Sequence, residues 1–152
     1  MKVLITGANG QLGQEMQHLL DERGQEYLAE DSQGLDITDK EAVDAYFEKN
    51  KPEVVYHCAA YTAVDKAEGE GKELNWKVNV DGTENIAKAC QKVGATLLYV
   101  STDYVFDGNR TSGEYLPDDP KGPRNEYGKA KLAGEEAVQK YCDKYYIIRT
   151  AW

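Results

Sequence analysis

Short apolar runs alternate with amphipathic stretches along the whole chain. Lys2 to Thr6 reads as a first strand. Leu12, Met16, Leu19 and Leu20 then recur on one face of a helix from about Gln11 to Arg23, and Gly24 stops it. Gln25 to Glu30 gives a second strand. Thr38-Asp39-Lys40-Glu41 has capping-box form and opens a helix whose apolar face is Val43, Tyr46 and Phe47. Pro52 precedes a third strand, Val54 to Ala59. Tyr61 to Val93 is mostly helical, with Val78, Ile86, Ala89, Cys90 and Val93 on a partly periodic face, and Gly94 ends it. Thr96 to Ser101 is a nearly all-apolar fourth strand, Glu126 to Tyr141 a further helix, and Tyr145 to Thr150 a fifth strand.

This alternation predicts an α/β fold: a doubly wound parallel sheet, Rossmann-like, in one domain over residues 1–152. The expected strand order is 3-2-1-4-5. Between the fourth strand and the helix at Glu126 lies an irregular segment, Asp103 to Arg124, holding three glycines and three prolines. Loops longer than about 12–15 residues in compact domains are often binding loops or lids.

Composition narrows the function. The 152 residues are 41% hydrophobic and 30% charged, ordinary for a globular domain large enough to bury a core. No apolar run approaches the roughly 20 residues of a membrane span, and the N-terminus lacks a signal-peptide pattern. A net charge of −9 argues against nucleic acid or an acidic membrane as partner. It leaves room for an anionic small ligand, because a helix dipole can oppose the global field locally. Cys58, Cys90 and Cys142 are odd in number and show no paired spacing, as expected of reduced thiols in a cytoplasmic protein.

The first strand runs directly into Gly7-Ala8-Asn9-Gly10-Gln11-Leu12-Gly13 and a helix. Glycines permit a tight turn and close backbone approach, and the helix offers free N–H groups to a pyrophosphate. Gly7, Gly10, Gln11, Leu12 and Gly13 are therefore candidate dinucleotide contacts. An acid roughly 20 positions on typically binds the adenosine ribose. Glu30 and Asp31 stand there, and no Lys or Arg occurs between Arg23 and Lys40, which favours NADH over NADPH.

Tyr127 and Lys131 lie four apart on one helix face. An ammonium about 4 Å from a phenol supplies roughly 4 kcal/mol at an effective dielectric near 20. That is about three pKa units, enough to bring a phenol near neutrality. Ser101-Thr102-Asp103 ends the fourth strand, and ligands in such sheets bind beyond the carboxyl ends of strands. Thr102 is thus placed to hydrogen-bond a carbonyl oxygen while Tyr127 protonates it.

Together these motifs resemble the extended short-chain dehydrogenase/reductases, and among them the dTDP-4-dehydrorhamnose reductase family. The resemblance covers the whole chain, and its most specific runs are Ala63-Val64-Asp65-Lys66-Ala67-Glu68 and Ser101-Thr102-Asp103-Tyr104-Val105-Phe106. It implies reduction by NADH or NADPH of the C4 keto group of dTDP-4-dehydro-L-rhamnose to dTDP-L-rhamnose. It implies that Gly10, Gln11 and Leu12 touch the phosphates and that Asp36 and Ile37 flank the adenine. Ala60, Tyr61 and Thr62 would line the nicotinamide path, and Val100 would also bind the cofactor. Tyr127 would donate the proton, Lys131 would hold the nicotinamide ribose, and Thr102, Asp103 and Trp152 would contact the sugar. Asn79 is similar to the family's structural asparagine. Family members carry magnesium at a dimer contact; Glu15 matches one such carboxylate, so Mg2+ and a homodimer are further implied expectations. Family chains run to nearly twice this length, so these residues are expected to be the N-terminal half of a longer protein, with most of the sugar pocket elsewhere.

Two alternatives stand beside the reductase. One is another sugar-nucleotide enzyme of the superfamily, a dehydratase or epimerase. Asp103 is followed by Tyr104 rather than by the second acid of the dehydratases, and a serine run more usual of epimerases is missing. The other is a non-catalytic binding subunit resembling the regulatory beta subunit of methionine adenosyltransferase.

Overall fold

The structure, a computed structural model, describes residues 1–151. Its elements are β1 (Val3–Thr6), α1 (Gln11–Glu22), β2 (Tyr27–Glu30), α2 (Lys40–Asn50), β3 (Val54–His57), α3 (Val64–Ala67), α4 (Lys72–Trp76), α5 (Thr83–Val93), β4 (Thr96–Thr102), α6 (Glu126–Tyr141) and β5 (Tyr145–Thr150). A π-helical segment, Lys77–Gly82, joins α4 to α5, and a 3₁₀ turn, Asp103–Val105, follows β4. All strand pairs are parallel.

The doubly wound α/β architecture is the one the hydrophobic pattern predicts, but the strand order is not. The sheet runs β2-β1-β3-β4-β5, not 3-2-1-4-5. A third strand outside β2 would have to be half-exposed. The Val54–His57 strand instead buries Val55 and His57 almost completely, whereas every residue of β2 is only half-buried, as suits an edge. Backbone bonds from Glu53 and Val54 to the Lys2 carbonyl seat β3 beside β1. Phe47 and Val43 of α2 pack over Leu4 and Val55, so the crossover passes above β1.

Two apolar layers flank the sheet. On one side α2, α5 and α6 cover Leu4, Val55, Leu97 and Tyr99. On the other, Leu20 and Met16 of α1 cover Val3 and Ile5. Helix α2 is capped by Asp39, whose carboxylate accepts from the Ala42 amide at 3.1 Å, rather than by Thr38 as its capping-box form suggests. Thr38 instead donates to Asp36 at 2.7 Å, closing a turn that begins the helix one residue later.

The chain passes from β1 outward to β2 and then back to β3. The carboxyl ends of β1 and β3 thus form the point where the winding reverses, the place where such sheets bind ligands.

Candidate active site

A cavity of about 580 Å³ opens at that reversal point. Its floor is the β1–α1 loop. Gly7 has φ +70°, and a Cβ there would lie 2.6–2.8 Å from the Ala59 and Cys58 backbone. A Cβ at Gly13 would fall on the Gly7 carbonyl oxygen and within 2.9 Å of the Ala8 Cα. The glycines therefore let α1 start flush against β1 and β3. Gly10 is the N-cap residue and has no side chain to satisfy the first-turn amides, so those donors face the cavity. Free amides at a glycine-capped helix start suit an anionic group such as a pyrophosphate.

The side wall belongs to the end of β2 and the turns after it. Asp31 lines the cavity; its carboxylate accepts from Gln33 N (2.9 Å), Gly34 N (3.0 Å) and the Asn9 amide, and these bonds hold its pKa below the usual carboxylate range. Glu30, the other acid expected here, is turned away. Tyr46 of α2 donates to its carboxylate at 2.8 Å, and Glu30 is not part of the cavity wall. Arg23 caps the far end of α1. Asp36 and Ile37 continue the wall, with Asp36 held ionised by the Thr38 hydroxyl and amide.

The opposite wall carries Ala60, Tyr61 and Thr62. Asn79, in the π-helical segment, fixes this stretch from behind. Its Oδ1 accepts from the Tyr61 amide at 3.1 Å, and its Nδ2 donates to the Tyr61 carbonyl at 2.9 Å. Asn79, similar to the family's structural asparagine, thus bonds backbone on both sides of Tyr61. Glu68 fastens the start of α6 by accepting from the Glu126 amide at 2.6 Å, and Asn75 donates to the Glu126 carbonyl.

The cavity ends at Val100, Ser101, Tyr127 and Lys131. Asn125 caps α6 and sets Tyr127 in its first turn, with Lys131 one turn on. Lys131 is 2% exposed; its Nζ donates to the Val100 carbonyl at 2.7 Å and lies 4.4 Å from the Tyr99 ring centre. Burial pushes its pKa down to about 7, against the pull of Glu135 and Cys58. The Tyr127 phenol moves the other way. Burial raises its pKa, the Asp103 charge adds to the rise, and the Thr102 hydroxyl opposes it. Without a nicotinamide charge beside it, burial and Asp103 outweigh the opposing Thr102 bond at the phenol. The result is a phenol that stays protonated at neutral pH.

Thr102 and Asp103 lie beside Tyr127 but outside the cavity wall. Thr102 accepts from the Tyr104 amide and donates to Asp103, both at 3.2 Å. The long loop behind them is anchored by Arg149. Its guanidinium forks onto Glu135 at 2.9 and 2.8 Å and donates to the Pro117 carbonyl. Trp152 lies outside the described residues. Glu15 sits on the solvent face of α1 near His18, away from the cavity. Among the described residues no group of three or more His, Cys, Asp or Glu side chains could hold a metal. No helix among them is long and apolar enough to cross a membrane.

Sequence reasoning missed Ser101. Its position in the Ser101-Thr102 pair was visible, but that its hydroxyl is buried and without a partner was not. Asn9, which steadies Asp31, was likewise hidden inside the glycine loop.

A family model described as the RmlD substrate binding domain matches residues 1–152. A dTDP-4-dehydrorhamnose reductase of Streptomyces griseus is 49% identical over 150 residues, covering 98% of this chain and 49% of that protein. A solved dTDP-4-dehydrorhamnose reductase from Clostridium acetobutylicum superposes with a TM-score of 0.94 at 50% identity, over 100% of this chain and 54% of its own. The enzyme from Bacillus anthracis, solved in complex with NADP, gives a TM-score of 0.94 at 44% identity, over 99% and 53%. The chain spans about half the length of the curated relatives it matches.

Proposed function

This chain belongs to the RmlD substrate binding domain family, and from that premise we propose that it supplies the dinucleotide-binding and proton-donating half of an NAD(P)H-dependent sugar-nucleotide reductase. The substrate we propose is dTDP-4-dehydro-L-rhamnose, reduced at C4 to dTDP-L-rhamnose. One observation carries the reading: a single cavity joins the glycine loop and α1 N-terminus at one end to Tyr127 and Lys131 at the other.

The residues present fit a dinucleotide. Gly7 and Gly13 let the loop close against β1 and β3, which brings the first turn of α1, with its free amides, to the cavity. Asp31 presents a fixed carboxylate suited to ribose hydroxyls and unfavourable to a 2′-phosphate, which supports NADH as the preferred form. The nicotinamide, when bound, supplies the hydride. The protein's part is to hold the reacting carbonyl and deliver a proton to its oxygen. Tyr127, protonated at neutral pH, is the donor. Thr102 stands beside it and, by turning its hydroxyl from Asp103, bonds the same oxygen and fixes its approach. Lys131 offers its remaining N–H donors to ribose hydroxyls, and its positive charge stabilises the phenolate left when Tyr127 gives its proton to the substrate oxygen.

The full-length protein, mixed with NADH or NADPH and dTDP-4-dehydro-L-rhamnose, is expected to lose absorbance of the reduced nicotinamide at stoichiometry one. Cofactor binding without oxidation would instead mark a non-catalytic binding subunit.

A further inference from the structure

Among the described residues, one buried side-chain polar atom has no hydrogen-bond partner: the Ser101 hydroxyl oxygen. Ser101 is 3% exposed and is the penultimate residue of β4. The groups around it are all satisfied. Thr102 bonds Asp103 and the Tyr104 amide, Lys131 bonds the Val100 carbonyl, and the Tyr99 hydroxyl donates to the Lys131 carbonyl at 3.3 Å. His57 is held between Thr6 and Thr83. A buried hydroxyl left unpaired in such company is costly and rare, and points to a bond completed by something else.

The something else enters from the cavity. Ser101 lines it, while Thr102, the next residue, does not. Successive side chains on a strand point to opposite sides, so the Ser101 and Thr102 hydroxyls leave the strand in different directions. The phosphate end of the cavity is fixed by the glycine loop and the ribose wall by Asp31. The Ser101 end then receives the nicotinamide, whose carboxamide offers both donors and an acceptor. A hydroxyl is the side chain that can answer either. We propose that Ser101 is a cofactor-positioning residue whose hydroxyl bonds the nicotinamide group, leaving Thr102 to the carbonyl substrate. This rests on the dinucleotide reading of the cavity.

The test is Ser101→Ala, read by the melting temperature of the ligand-free protein and by calorimetric titration with NADH, NADPH and ADP-ribose. The unpaired hydroxyl is removed, so the melting temperature should hold or rise. Affinity for NADH and NADPH should fall roughly five- to tenfold, the scale of one hydrogen bond. ADP-ribose, which lacks the nicotinamide, should bind within about twofold of the wild type. A melting temperature lower by several degrees would mean the hydroxyl already has a protein partner. Equal losses for NADH and ADP-ribose, or no loss for either, would also overturn the proposal. If the wild type itself bound no dinucleotide, the cofactor reading would fall first, and that failure is separately visible.

Discussion

Lys131 and Tyr127 carry opposite displacements from one cause. Burial strips solvent from both, which disfavours the ammonium and the phenolate alike. Lys131 is charged below about pH 7 and neutral above it. The free enzyme's kcat/KM for carbonyl reduction should therefore show a descending limb with an apparent pKa near 7. A profile flat to pH 9 would show that Lys131 keeps its charge or is not needed. The spacing of Tyr127 and Lys131 was legible in the sequence, because a helix places residues four apart on one face. The direction of their pKa shifts was not, because it depends on how deeply the fold buries each group. The same limit separates Glu30 from Asp31. Both stand at the right distance from the glycine loop, but only the fold shows that Tyr46 takes Glu30.

At the scale of elements, the glycine loop is a tight backbone-on-backbone joint. Gly13→Ala would drive a methyl group into the Gly7 carbonyl and the Ala8 Cα, forcing α1 away from β1. We expect a loss of about 2 kcal/mol or more, as for other overpacked sites, and abolished dinucleotide binding. Gly24→Ala is the contrast. It has a positive φ, of 63°, but open space around it, so it should cost only about 1 kcal/mol and leave binding intact. Denaturant unfolding and cofactor titration of the two variants check this; equal binding by both would contradict an anion site at the glycine loop. Strand and helix positions followed from hydrophobic periodicity. The order of strands did not, because a right-handed crossover is satisfied on either side of β1 and tertiary burial decides which.

At the scale of the whole molecule, buried titratable groups set how stability varies with pH. His57, fully buried between Thr6 and Thr83, has its pKa pushed down to about 3 from an ordinary 6.5. The folded state thus binds fewer protons than the unfolded one across that interval. Its contribution is intact above pH 6.5 and is lost as pH falls toward 3, at up to about 1.4 kcal/mol per unit. Lys131 has the same sign in a higher window: stability rises with pH between about 7 and 10.5. The raised phenols of Tyr46, Tyr99 and Tyr127 reverse the trend above pH 10. Chemical denaturation should find maximal stability between about pH 8 and 10, and His57→Gln should flatten the acid side. An optimum below pH 6 would contradict the buried neutral histidine.

In the proposed reaction one cavity holds a dinucleotide while Tyr127 protonates the substrate oxygen. The most direct measurement compares the wild type with Tyr127→Phe in the full-length protein, following turnover of the keto-sugar nucleotide and cofactor affinity together. Turnover should fall by about 10²–10⁴-fold, the range of a lost general acid, while the cofactor Kd changes by no more than about threefold. Turnover within a few-fold of the wild type would contradict the account.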